Sequence, residues 1–205
     1  MTSLRAPEDT FRILFVCTAN ICRSPVAEIL MRRMLMVGLG TDRAARFAVE
    51  SAGTHAVTGA AMSLRSRAAL APWGLGSDAA GSAARQVDAE MVRQADIVLT
   101  ADRNHRSFIV ALEPSALRTT FCIREWDRLL RGKGRRQLPP DPVARARSIS
   151  AGAHLSRGTL IYASAADDSI PDPAGLPMSA HRSAMRMIAS AVQRTVDILT
   201  IGTTT

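Results

Sequence analysis

Cysteine and arginine with five residues between them, Cys17 and Arg23 in FVCTANICRSP (residues 15–25), are the residue types that phosphoryl transfer to sulfur requires. A thiolate attacks phosphorus and holds it as a phosphocysteine until water removes it. A planar guanidinium grips two phosphate oxygens and offsets their repulsion of the nucleophile. The intervening Thr18, Ala19, Asn20, Ile21 and Cys22 supply enough backbone to wrap amide donors around such a group, and Ser24 follows with a hydroxyl that can serve the sulfur. A leaving-group oxygen also needs a proton, so a carboxylic acid must face the nucleophile. Two Asp-Pro pairs compete for that role, Asp141-Pro142 and Asp172-Pro173. A cysteine after an apolar run is also an ordinary packing residue, so the surrounding elements have to decide.

Residues 12–16 read as a short strand buried on both faces, because the apolar run is nearly continuous. A helix is expected from Ser24-Pro25, with Val26, Ile29, Leu30, Met34 and Val37 at helical spacing and Gly38 at its end. A loop that runs from a strand into a helix start aims amides and the helix dipole at one point, which favours an anion and a thiolate alike. Further along, 47–50 reads as a second strand, 64–70 and 88–95 as helices, 96–101 as a third strand, a helix from about Asn104, and 119–123 as a short strand. A short helix over 142–156 and a last helix over about 177–199 complete the series. Strands alternating with helices argue for a parallel sheet covered on both sides, whose ligands sit at the carboxyl ends of the strands, where Cys17 falls.

A chain of 205 residues, 47% apolar, suits one domain spanning 1–205 with residues 1–10 as a tail. Its net charge of +8 is carried almost wholly by arginine, Lys133 being the only lysine. Arg124 to Arg157 holds nine basic residues against three acidic ones, so a basic insertion over about 127–165 is expected. It reads either as a solvated face or as a flap that attracts anions. Aromatic residues are 4% of the chain and do not interleave with the arginines, which argues against nucleic acid as a partner. Cys17, Cys22 and Cys122 are too few for a disulfide framework, so a cytoplasmic chain is expected, and no apolar run is long enough for a membrane span. His55, His105, His154 and His181 lack metal-ligand spacing and read as surface or structural; no metal site is expected.

VCTANICRSPVAE (16–28) strongly resembles the active-site loop of the low-molecular-weight protein tyrosine phosphatase family. The resemblance extends to SAGT at 51–54, ARQV at 84–87, ADIVLTADRNH at 95–105 and IPDPAG at 170–175. It implies a flavodoxin-like three-layer α/β sandwich, a four-stranded parallel sheet with helices on both faces. It also implies no metal or organic cofactor, and phosphate monoester hydrolysis through phosphocysteine, the substrate being a phosphorylated protein or a small phosphoester. By the same resemblance Cys17 is the nucleophile, Arg23 the phosphate clamp and Ser24 the thiolate's partner. Residues 18–22 bind phosphate, Asn20 shapes the loop with support from Ser51, and Asp172 is the acid, with Asp168 and Asp167 as weaker candidates.

The chain departs from the family pattern in several places. Ala19 replaces a common glycine, tolerable if its φ is negative, and Ser82 replaces a histidine found in some members. Val57 and Ala174-Gly175 stand where phosphotyrosine-directed members carry aromatic walls, so a smaller or more polar phosphoester is expected. Trp73 and Trp126 read as core. Cys22 either packs behind the loop or forms a protective disulfide with Cys17. Arsenate reductases share the loop but need further cysteines, absent between Cys22 and Cys122; a catalytically inactive phosphate-binding module would not need the cysteine and the acid.

Overall fold

The computed structural model describes residues 9–78, 81–131, 138–157 and 163–201. Most of the expected tail, the glycine-rich turn of the basic segment and Tyr162 lie outside those residues. The elements run β1 (Phe11–Cys17), α1 (Arg23–Leu39), α2 (Thr41–Ala44), β2 (Phe47–Gly53), α3 (Leu64–Leu70), α4 (Ala89–Gln94), β3 (Ile97–Thr100), α5 (Arg103–Leu112), β4 (Thr120–Cys122), α6 (Ile123–Arg131), α7 (Pro142–Ser156), α8 (Ala165–Asp168) and α9 (Met178–Leu199).

The four strands form one all-parallel sheet in the order β2-β1-β3-β4. Along β1 successive side chains enter opposite layers. Ile13 and Phe15 join a core with α1, α6, α7 and α9, while Leu14 and Val16 pack with Val92, Val98 and Ile109 under α4 and α5. This is the expected flavodoxin-like α/β sandwich. The order reverses at β1, so the carboxyl ends of β1 and β3 frame the crevice in which such sheets bind ligands.

Three details differ from the sequence reading. Strand β2 continues through Ser51, Ala52 and Gly53, because pairing with Phe15, Val16 and Cys17 holds residues of low strand propensity extended. Helix α1 starts at Arg23 with Cys22 at its cap and runs past Gly38 to Leu39, so Ser24 is not the cap. Trp73 is 45% exposed, whereas Trp126 is core, its Nε1 donating to Thr195 Oγ1 at 3.0 Å.

The basic segment is built inward. Helix α7 buries Val143, Ala146, Ile149 and Ala153 in the core, so residues 142–156 are not a solvated face. Its Arg145 is buried and donates to the carbonyls of Pro139, Pro140, Ile198 and Leu199, covering the exposed acceptors at the end of α9. Arg124 and Arg128 cap carbonyls of Ala166, Asp167 and Ser169. Arg157 bonds Glu125 and the Thr120 carbonyl and lies over the Phe121 ring.

Candidate active site

Residues Thr18 to Cys22 connect β1 to α1, and the neighbouring β2 loop fixes their path. The amides of Thr54, His55, Val57 and Ser63 donate to the carbonyls of Cys17, Thr18, Ala19 and Ile21 at 2.8–3.2 Å. Across a planar trans peptide the following N–H points the opposite way. The amides of Thr18, Ala19, Asn20 and Cys22 are therefore turned to the other side of the loop, where the uncapped first turn of α1 also presents its donors. Gly53 permits this packing: a Cβ there would stand 2.4 Å from the Thr18 carbonyl oxygen and 3.0 Å from the Asn20 nitrogen.

Asn20 is the only described non-glycine residue with positive φ, at 57°. Asparagine tolerates that region better than most residues, and Ala19 avoids it. The Asn20 side chain is buried and fully used. Its Nδ2 donates to Ser24 Oγ at 2.8 Å and Ser51 Oγ at 2.9 Å, and its Oδ1 accepts the Arg85 amide at 2.9 Å. Ser51 Oγ in turn donates to Glu28 Oε2 at 2.6 Å. Ser24 Oγ lies 3.0 Å from Cys17 Sγ and 3.3 Å from the Ala52 carbonyl. The hydroxyl accepts from Asn20 and has one proton, for which the Ala52 carbonyl and the Cys17 sulfur compete. The Arg85 guanidinium reaches the Ser51 carbonyl, and Gln86 bonds the Thr54 carbonyl and the Ala56 amide. Residues of ARQV thus brace the loop.

Arg23 is 4% exposed and converges on the same point. Its Nη1 donates to the Ile170 carbonyl at 3.1 Å, and its Nη2 to Thr18 Oγ1 at 3.2 Å and Asp172 Oδ2 at 2.6 Å. Its buried Nε has no hydrogen-bond partner. The Ile170 amide bonds the Ala101 carbonyl at 2.9 Å, which ties the Asp172 loop to the end of β3.

The acid candidates separate cleanly. Asp172 alone reaches Arg23 from the last loop, and its other oxygen accepts the Ala174 amide at 3.1 Å. Asp141 caps α7 and pairs with Arg46. Asp167 completes the capping box of α8 with Ser164. Asp168 is buried between Arg103 and Arg128.

Cys17, Cys22 and Cys122 are buried free thiols. Burial pushes the Cys22 thiol up, against hydrogen bonds from Ser66 and Ser63 of the α3 start, which accords with packing behind the loop. Burial pushes Cys122 up to about 12. Residues the sequence reading passed over as site members are His105, which meets Thr18, Asp102, which meets His105 and lies near Arg23, and Glu28, Arg85 and Gln86. The signal for the first pair was present in ADRNH, where an Asp three residues before a His is an N-cap spacing. Among the described residues no group of three His, Cys, Asp or Glu side chains has a metal-binding arrangement, and no helix is long and apolar enough to cross a membrane.

A thiol at the end of a parallel strand, ringed by inward amides and a buried guanidinium, defines a cysteine-dependent phosphatase. A model of the low molecular weight phosphotyrosine protein phosphatase family matches residues 12–151, which include Cys17 and Arg23 and end before Asp172. The chain belongs to that family. It is 32% identical over 114 residues to the low molecular weight protein-tyrosine-phosphatase Etp of Escherichia coli, covering 56% of this chain and 70% of that one. It is equally 32% identical over 116 residues to a protein-arginine-phosphatase of Geobacillus stearothermophilus, covering 57% and 71%. Among solved structures, the Erwinia amylovora tyrosine phosphatase amsI shares the fold with a TM-score of 0.64 at 21% identity, covering 92% of each chain.

Proposed function

We propose that this cysteine-dependent phosphatase is a single-domain cytoplasmic enzyme in which Cys17 is the nucleophile, Arg23 the phosphate clamp and Asp172 the proton donor. The observation that carries the reading is the buried Arg23 guanidinium, whose Nε keeps an unpartnered donor beside the loop whose amides are turned inward. A buried donor without a partner is costly unless a ligand satisfies it. The Cys17 Sγ attacks phosphorus, forming the S–P bond as the P–O bond to the leaving group breaks. Asp172 delivers its proton to that oxygen. Amides of 18–23 and Arg23 stabilise the equatorial oxygens, and Ser24 serves the sulfur. Water then attacks phosphorus, gives a proton back to Asp172 and releases Cys17 and phosphate. Asn20 and Ser51 keep the loop in shape.

The mouth of this pocket supports a phosphoester that is not held by ring stacking. Val57, 54% exposed beside the Ala19 carbonyl, and Leu176, 46% exposed after Gly175, are aliphatic. The similarity to a protein-arginine-phosphatase as well as to tyrosine phosphatases accords with substrates other than phosphotyrosine. The redox alternative finds little support, since Cys122 is fully buried in β4 with a raised pKa. Release of p-nitrophenol from its phosphate ester by wild type, and its loss in Cys17→Ser, tests the mechanism. Comparable kcat/KM on phosphotyrosine peptides and on the best non-aromatic phosphoester would count against the substrate reading.

A further inference from the structure

His105 lies behind the phosphate loop, buried on the first turn of α5, and no step of the mechanism above uses it. Its Nε2 is 2.8 Å from Thr18 Oγ1, and its Nδ1 is 2.8 Å from Asp102 Oδ1. Asp102 also accepts the His105 amide at 3.0 Å as the cap of α5, and its Oδ2 lies 3.8 Å from Arg23 Nη1. Asp102, His105, Thr18 and Arg23 therefore close a ring of contacts.

The polarity of the ring follows from which atoms can donate. Arg23 only donates, so Thr18 Oγ1 accepts from Nη2. Burial would raise the Asp102 carboxyl, but the adjacent His105 ring and the His105 amide outweigh that and hold it low, as a carboxylate. Asp102 Oδ1 stands 2.8 Å from Nδ1, out of line for a good hydrogen bond but too close for two facing lone pairs, which favours the tautomer with its proton on Nδ1 and leaves a lone pair at Nε2. Thr18 has one proton to give, and Nε2 takes it. Without that acceptor the hydroxyl would rotate freely, and its lone pairs would not be held toward the guanidinium.

We propose that His105 is a positioning residue of the phosphatase reaction: by accepting the Thr18 proton it aims the Thr18 oxygen at Nη2 of Arg23 and holds that arm in place. This is the arm Asp172 also occupies, so Thr18 keeps it oriented when the carboxylate turns to the leaving group. The inference rests on reading Arg23 as the phosphate clamp.

The test is a double-mutant cycle in the full chain, with Thr18→Val, His105→Phe and the pair, read as the inhibition constant of inorganic phosphate. One hydrogen bond on this path corresponds to about a tenfold loss. Each single change is expected to weaken phosphate about tenfold, and the pair little more than either. Losses that multiply, or an unchanged constant in His105→Phe, would overturn the proposal. Nitrogen NMR of wild type gives an answer that does not depend on a variant folding: the Nδ1–H tautomer of His105 is expected, and the Nε2–H tautomer overturns it. Arg23→Lys separates the two levels. Loss of phosphate binding there with a multiplicative cycle removes only the role of His105, whereas unchanged binding in Arg23→Lys removes the clamp reading and this inference together.

Discussion

Asp172 meets Arg23 at 2.6 Å, so the residues proposed as proton donor and phosphate clamp are each other's partners. Phosphate has to take the guanidinium from the carboxylate before Asp172 can face the leaving group. Replacing Asp172 with Asn should thus act in opposite directions on binding and on chemistry. A hydrogen bond between charged groups is worth about 1.5–3 kcal/mol, but the Asp172 side chain is 46% exposed, which reduces the contribution to about 1 kcal/mol. About 1 kcal/mol corresponds to phosphate binding roughly fivefold tighter in Asp172→Asn. The same change removes the proton donor, and general acid catalysis contributes about 10²–10⁴ in rate. The fall in kcat should be steep for alkyl phosphates, whose leaving oxygens must be protonated, and shallow for p-nitrophenyl phosphate. Phosphate inhibition constants and kcat over a series of leaving groups measure both effects. Weaker phosphate binding in Asp172→Asn would refute the competition for Arg23, and an equal loss of kcat on all leaving groups would refute the acid role.

Gly53→Ala should lower the melting temperature and kcat/KM together, because its Cβ would meet the Thr18 carbonyl oxygen at 2.4 Å. An overpacked site costs about 1–3 kcal/mol, or roughly 2–4 °C for each kcal/mol in a chain of this size; an unchanged melt and rate would sink the account of loop packing. His181 is buried, its Nδ1 2.9 Å from Ser66 Oγ; burial and then the charge of Arg65 push its pKa below the ordinary 6.5. The unfolded chain therefore takes up this proton at higher pH than the folded one, and the stability His181 contributes is present above about 6.5 and lost as pH falls below it. The melting temperature of wild type should drop more steeply from about pH 7 to about pH 5 than that of His181→Gln. Parallel curves would assign the acid sensitivity elsewhere.

How far the sequence disclosed this site depended on whether the interaction was local. Cys17 and Arg23 stand on one loop, and their spacing, with a strand before and a helix after, is what suggests the chemistry proposed for them. Asp172 is 149 positions from Arg23, and the choice between it and Asp141 rested on a family resemblance, since both are Asp-Pro pairs. Only the fold shows that Asp141 is spent on Arg46 and the start of α7. The pair Ser24-Pro25 suits a helix start by local context, yet α1 starts at Arg23 with Cys22 at its cap. The Ser24 hydroxyl is held by Cys17, Asn20 and Ala52, contacts that depend on β2 lying beside β1. His105 looked inert because no metal spacing surrounds it, and its tie to Thr18 crosses 87 positions.

The charge was the most misleading local signal, and two arginines show why. Arg145 and Arg23 are the described arginines buried almost completely. Every nitrogen of Arg145 meets a backbone carbonyl, so its charge is consumed in bracing α7 against the end of α9. Arg23 also binds a carbonyl, that of Ile170, and a hydroxyl, and lies 3.8 Å from Asp102, but its close ion pair is with Asp172, a carboxylate that can leave, and its Nε has no partner. Composition counts the two alike. A structural arginine has all its donors met by groups that cannot move away, whereas a clamp must keep donors that only an incoming anion can satisfy. By that criterion the charge of Arg145 reports how the chain is held together, and the anion a clamp would recognise is read from the donors left over at Arg23.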